Sequence, residues 1–153
     1  MRRLLALFAR ISMHSADDMD IHRALEILMG SAVQLNNALR GCIRSYAQLS
    51  VSTIPPLEPM DLRQLLGLLR ELMFQAHPAG SDILRRFETW REDVDTASVQ
   101  RDFLLLRARR GAALGPSLFE LTRATVQLER DTARIKTWED ALALPSKTAG
   151  ISG

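Results

Sequence analysis

From Ile21 onward, apolar residues recur at steps of three and four: Ile21, Leu25, Leu28, Ala32, Leu35, Leu39, Cys42, Tyr46 and Leu49. That spacing lines one face of a helix. Met29 and Ile43 widen the stripe by one column, which suits a bundle core better than a two-column coiled-coil seam. Gly30, Gly41 and the pair Asn36–Asn37 fall off the stripe and weaken the helix only locally. The pattern predicts a helix over 16–51, on the order of 50 Å long at 1.5 Å per residue. Ser15 stands as its N-cap, with Asp18 at the third helical position and Asp17 and Asp18 at the positive end of the helix dipole.

Pro55, Pro56 and Pro59 forbid continuation and hold the next stretch extended. Asp61, with Gln64 in the reciprocal capping position, opens a second main helix over 61–77. Its stretch "LRQLLGLLRELMFQA" is apolar around much of its circumference, which predicts a central position. After the tight "HPAGSD" connection, Ser81 caps a helix over 82–110. Ile83, Phe87, Trp90, Val94 and Ala97 keep one phase, and Val99, Phe103, Leu106 and Arg110 keep another, so a kink or break is expected near 95–98. Gly111 suits the position just past its end.

Ser117 and Glu120 form a complete capping box for a last helix over 118–144. Its seam reads Leu118, Leu121, Thr125, Leu128, Thr132, Ile135, Glu139 and Leu142, polar in places. Residues 2–13 read as a short amphipathic helix and 145–153 as a flexible tail. The expected fold is all-α: one domain, a bundle of four main antiparallel helices with long, coiled-coil-like members and a short N-terminal helix.

Composition narrows the function. The chain has 153 residues, 46% apolar and 25% charged, ordinary for a globular protein, and aromatics at 5% argue against sheets. A net charge of +2 is too small for broad binding along a phosphate backbone. The single cysteine, Cys42, allows no internal disulfide and no paired-cysteine zinc motif. No apolar run reaches the roughly 18 residues of a membrane span. The first sixteen residues, "MRRLLALFARISMHSA", carry arginines and no acid. They leave cytoplasmic residence as the expectation and mitochondrial targeting as the alternative.

Candidate chemistry is thin. "MHSADDMDIH" puts Asp18 and His22 on one helix face, but a metal needs three or four ligands in fixed geometry, and a capped helix start accounts for the same residues. The compact basic cluster at Arg107, Arg109 and Arg110 offers phosphate contacts; the competing reading is charge complementing the helix C-terminus before Gly111. Cys42 on the stripe reads as a small buried hydrophobe, and His77 before Pro78 as a helix-end residue. There is no Gly-rich phosphate loop, HExxH pair or G-x-S-x-G elbow. No catalytic residue, cofactor or metal is therefore expected.

Trp138 lies at the edge of the last seam. With Ile135 and Leu142 it is the expected partner contact, because polar seam positions weaken an internal core and tryptophan is a frequent interface anchor. The leading expectation is a non-enzymatic helical interaction protein: an adaptor, assembly factor or chaperone, or structural subunit that pairs with a protein partner or its own copy. The alternative is a nucleic-acid-associated subunit using the arginine clusters. A second alternative is a helical enzyme with a site in a cavity between helices.

Overall fold

The structure, a computed structural model, describes residues 14–50, 53–111, 113 and 115–143, with side-chain surroundings from Asp20 onward. The helix expected over 2–13 and the tail over 145–153 lie outside the described residues. The described chain is all-α: helices α1 His14–Ser50, α2 Leu62–Ala76, α3 Asp82–Arg109 and α4 Leu118–Asp140, with no strand among the described residues.

Two helix starts follow directly from local chemistry. The Asp61 carboxylate accepts from the Gln64 backbone N–H at 2.9 Å, and the Asp61 N–H donates to the Gln64 side chain at 2.9 Å. Ser117 and Glu120 repeat the exchange at 3.1 and 2.8 Å. Each box pairs backbone donors that a helix start otherwise leaves open. Gly111 follows α3 at φ 101°, a conformation that L side chains rarely adopt. At the first start the expectation fails: α1 is already helical at His14, so Ser15 lies inside the helix and not at its cap. A Ser-x-x-acid pattern suits the first turn of a longer helix as well as its cap. Ser81 occupies the cap position of α3, but its hydroxyl makes no capping bond and has no partner.

The stripe of α1 is its buried face over most of its length. Leu28, Leu35, Leu39, Cys42, Ile43 and Tyr46 are all but inaccessible, and Ile21, Leu25 and Ala32 pack on the cluster they form. Each leucine so buried contributes roughly 1.5–3 kcal/mol. Two expected positions differ: Met29 and Leu49 face solvent.

The central element is α1, not α2. It packs most extensively on α4 and next on α2, while α3 packs on α4 and more lightly on α2. α2 buries Leu65, Leu66, Leu69, Leu72 and Met73 and turns Gly67, Arg70, Glu71 and Phe74 outward. Phe74 is exposed on this outer face, with the Arg70 guanidinium 4.5 Å from its ring centroid. The proline-rich connection is held by α1. Arg40 donates to the carbonyls of Leu57, Glu58 and Met60 at 3.2, 3.3 and 3.5 Å, and Leu57 is buried. Prolines leave those carbonyls without helical partners, and a guanidinium with five donors supplies them.

Side-chain contacts show which ends meet. Tyr46, near the end of α1, reaches Trp138, near the end of α4, so like ends of these two helices lie together. Opposite ends meet between α3 and α4, where Phe87 and Trp90 contact Trp138 and Arg107 bridges to Glu120. Between α2 and α3, Arg63 holds Asp95 at 3.1 Å and Arg70 holds Glu88 at 2.6 Å.

α3 runs unbroken through 95–98, so no break occurs there. The change of phase is real but has another meaning. Leu84, Phe87, Trp90 and Val94 are buried, whereas beyond Val94 no residue of α3 is fully buried, and Val99, Phe103 and Leu106 face solvent. The helix continues while its cover stops.

Candidate functional site

The last helix decides where the expected contact residues go. Trp138 is 0% exposed and Ile135 2%, both inside the core, and Leu142 is partly buried against it. The Trp138 ring meets Phe87 edge-on at 5.6 Å and Trp90 at 5.7 Å. The cover for this stripe is thus supplied within the chain, and Trp138 and Ile135 present no exposed surface. Along α4 the buried residues are Leu121, Thr125, Leu128, Asp131, Ile135 and Trp138, so Asp131 and Trp138 turn inward where Thr132 and Glu139 were expected. The seam threonines need no outside partner either. Thr125 donates to the Leu121 carbonyl at 3.0 Å and Thr132 to the Leu128 carbonyl at 2.8 Å.

A buried polar network ties three helix ends together. The Tyr46 hydroxyl lies 2.7 Å from the Trp138 carbonyl and 2.8 Å from His77 Nε2. A carbonyl only accepts, so the single hydroxyl proton goes to Trp138. His77 Nε2–H must therefore donate to Tyr46 Oη, which assigns the tautomer. His77 is 6% exposed and ends α2, as expected, but it is also a core hydrogen-bond donor. Burial lowers its pKa below the ordinary histidine value.

This predicts a pH effect with a definite sign. The unfolded chain takes up a proton near pH 6.5, where folded His77 stays neutral. Stability from this group is full above that pH and falls as pH drops below it. Asp131 works the other way, because burial raises its pKa. The expected result is therefore a difference: between pH 7 and pH 5 the native chain loses more stability than His77→Gln, which keeps a side-chain donor but does not titrate. Equal slopes in urea denaturation would mean that His77 is not held neutral.

The other candidates resolve as follows. Cys42 is buried, and burial with the nearby Glu139 charge pushes its thiol far up, which disfavours the thiolate a nucleophile needs. In the opening stretch, His22 pairs with Glu26 at 3.1 Å on the exposed face, and no three metal-ligating side chains converge among the described residues. Arg107 does not stand open for phosphate. Its two terminal nitrogens lie 2.9 and 3.3 Å from the Glu120 carboxylate, and one also donates to the Gly115 carbonyl. Arg107 and the Ser117 cap hold the Glu120 carboxyl down to about 2. Arg109 and Arg110 are exposed at the end of α3.

The feature that sequence reasoning passed over is the groove between α3 and α4. Two adjoining clefts of about 390 and 410 Å³ share Asp93 and Gln127 as lining. Arg85, Arg86 and Arg101 line it from α3, and Arg123, Arg130 and Arg134 from α4. Asp131 lines it too; it is 4% exposed, accepts from Gln127 at 3.0 Å, and leaves Oδ2 without a partner. One signal was available in the sequence: 123, 130 and 134 are spaced by seven and four, which places those arginines on one helix face.

Comparison with family models, curated proteins and solved structures gives no match to this chain. Among the described residues no helix is long and apolar enough to cross a membrane.

Proposed function

We propose that this chain is a non-enzymatic helical interaction protein, an adaptor, assembly factor or structural subunit that docks helix against helix. One observation carries the reading. Val99, Phe103 and Leu106 follow one another by four and three residues along α3 and are 40, 62 and 44% exposed among the described residues. An uncovered apolar stripe on an otherwise well-capped helix fits a surface that another helix completes. In this proposal the helices form a coiled-coil-like bundle that a partner helix extends.

The test is association. Phe103→Asp puts a charge on the stripe at a position mostly in solvent, so the fold should survive with unchanged circular dichroism. The complex isolated with the tagged native chain from its own cells, or its homo-oligomer by light scattering, should be lost. A native chain that is monomeric and recovers no stoichiometric partner overturns the proposal. So does a complex that Phe103→Asp leaves intact.

A further inference from the structure

Several arginines of this protein hold a carboxylate, Arg85 on Asp82 among them. Arg44 pairs with Glu58, Arg63 with Asp95, Arg70 and Arg91 with Glu88, and Arg107 with Glu120. The groove between α3 and α4 gathers arginines that hold none. Arg86, Arg101, Arg123, Arg130 and Arg134 line it and make no ion pair among the described residues. Six arginines line the groove against three acids, Asp93, Glu120 and Asp131, and Glu120 is already engaged by Arg107. Like charges gathered on two facing helices repel, and an anionic occupant relieves that repulsion.

We infer that the groove between α3 and α4 receives an acidic amphipathic helix of a protein partner, its carboxylates seated on Arg86, Arg101, Arg123, Arg130 and Arg134. The inference rests on the interaction reading above and names the partner's chemistry.

Shape supports a helix. Between Arg85 and Arg101, α3 advances about 24 Å at 1.5 Å per residue, which matches about four turns of a helix laid alongside. Ala97, Ala124 and Leu128 lie among the arginines in the lining, small or apolar side chains that admit close helix approach. Planar guanidinium forks match carboxylates two bonds at a time.

The uncovered stripe lies next to the groove. Val99 and Phe103 follow the lining residues Thr96 and Gln100 by three positions, which makes them neighbours on the surface of α3. A single partner helix thus meets arginines with its acidic side and Val99 and Phe103 with its apolar edge. Nucleic acid fits less well. The one aromatic residue of the lining, Trp90, is 3% exposed and offers no face for stacking a base.

The experiment uses the full chain and three labelled probes followed by fluorescence anisotropy. They are a helical peptide with glutamates at four-residue spacing and leucines on the adjoining face, the same peptide with lysines in place of glutamates, and a single-stranded oligonucleotide of equal charge. The acidic peptide should bind saturably, weaken as salt rises, and shift the emission of Trp90. The lysine peptide should not bind.

Arg123→Glu with Arg130→Glu alters two exposed side chains and should leave the helical content unchanged. It should weaken the acidic peptide by at least about tenfold. Three outcomes overturn the inference: no saturable binding of the acidic peptide at low salt, equal binding by the double variant, or tighter binding of the oligonucleotide than of the peptide. If the groove fails while Phe103→Asp still dissolves the native complex, the interaction reading stands and only the arginine groove is removed from it. If both fail, the interaction reading falls as well.

Discussion

Leu39→Asp should leave the chain unfolded, with its helical circular dichroism lost, whereas Asn37→Ala should melt within about 1 kcal/mol of the native chain. The two positions are two residues apart on α1 and differ only in face. Leu39 is 0% exposed and belongs to the cluster that joins α1 to the other helices. An aspartate there would sit in an apolar cluster, and burying an unpaired charge costs several kcal/mol on top of the lost leucine packing. A domain of this size holds about 5–15 kcal/mol in total, so one such change consumes much of it. Asn37 is exposed, and its carbonyl only receives an Arg40 N–H at 2.9 Å in solvent. Alanine gives up that bond and gains helix propensity, two small effects of opposite sign. Similar melting curves for the two variants would place the buried face of α1 elsewhere.

Trp138→Ala should destabilise the fold by about 3–5 kcal/mol, the range for deleting a large aromatic from a packed interior. The ring is fully buried and sits edge-on to Phe87 and at 5.7 Å from Trp90, so its removal opens a cavity where α3 meets α4. The Arg134 guanidinium, 5.8 Å from the ring centroid, loses its stacking partner as well. The backbone carbonyl that accepts from Tyr46 survives the substitution, so the loss reports packing and not the polar network. Urea denaturation of the isolated native chain checks it, with Trp138→Phe expected to retain a large part of the stability. A change within about 0.5 kcal/mol, as at ordinary surface positions, would put the ring outside the core and return it to the role of an anchor for a partner.

Both predictions depend on which side of a helix faces inward, and this is where local and tertiary information part. Helix starts at Asp61 and Ser117 and the end at Gly111 are legible because their causes lie within four residues: a side chain meeting a nearby backbone N–H, or a backbone angle only glycine takes freely. The stripe of α1 is legible for a related reason, since spacing alone aligns Leu28, Leu35, Leu39, Cys42 and Tyr46 on one face.

Spacing does not say how much of a stripe another element will cover. Leu49 and Phe103 continue apolar patterns, yet both face solvent among the described residues. On α4 the choice between Glu139 and Trp138 turns on about a third of a helical turn, which the position of α3 settles by placing Phe87 and Trp90 against the tryptophan. The arginine groove likewise needs two helices side by side, and only its α4 row is foreshadowed by spacing.

The chain by itself determined its all-α class and the capping exchanges that start α2 and α4, because those follow from contacts within one or two turns. The tertiary structure decided that Tyr46, His77 and the Trp138 carbonyl form one buried network across sequence separations of 31 and 92 residues. It also decided which arginines are neutralised and which face one another unpaired. Such pairings depend on the register between helices, and register is a property of all the packed side chains at once.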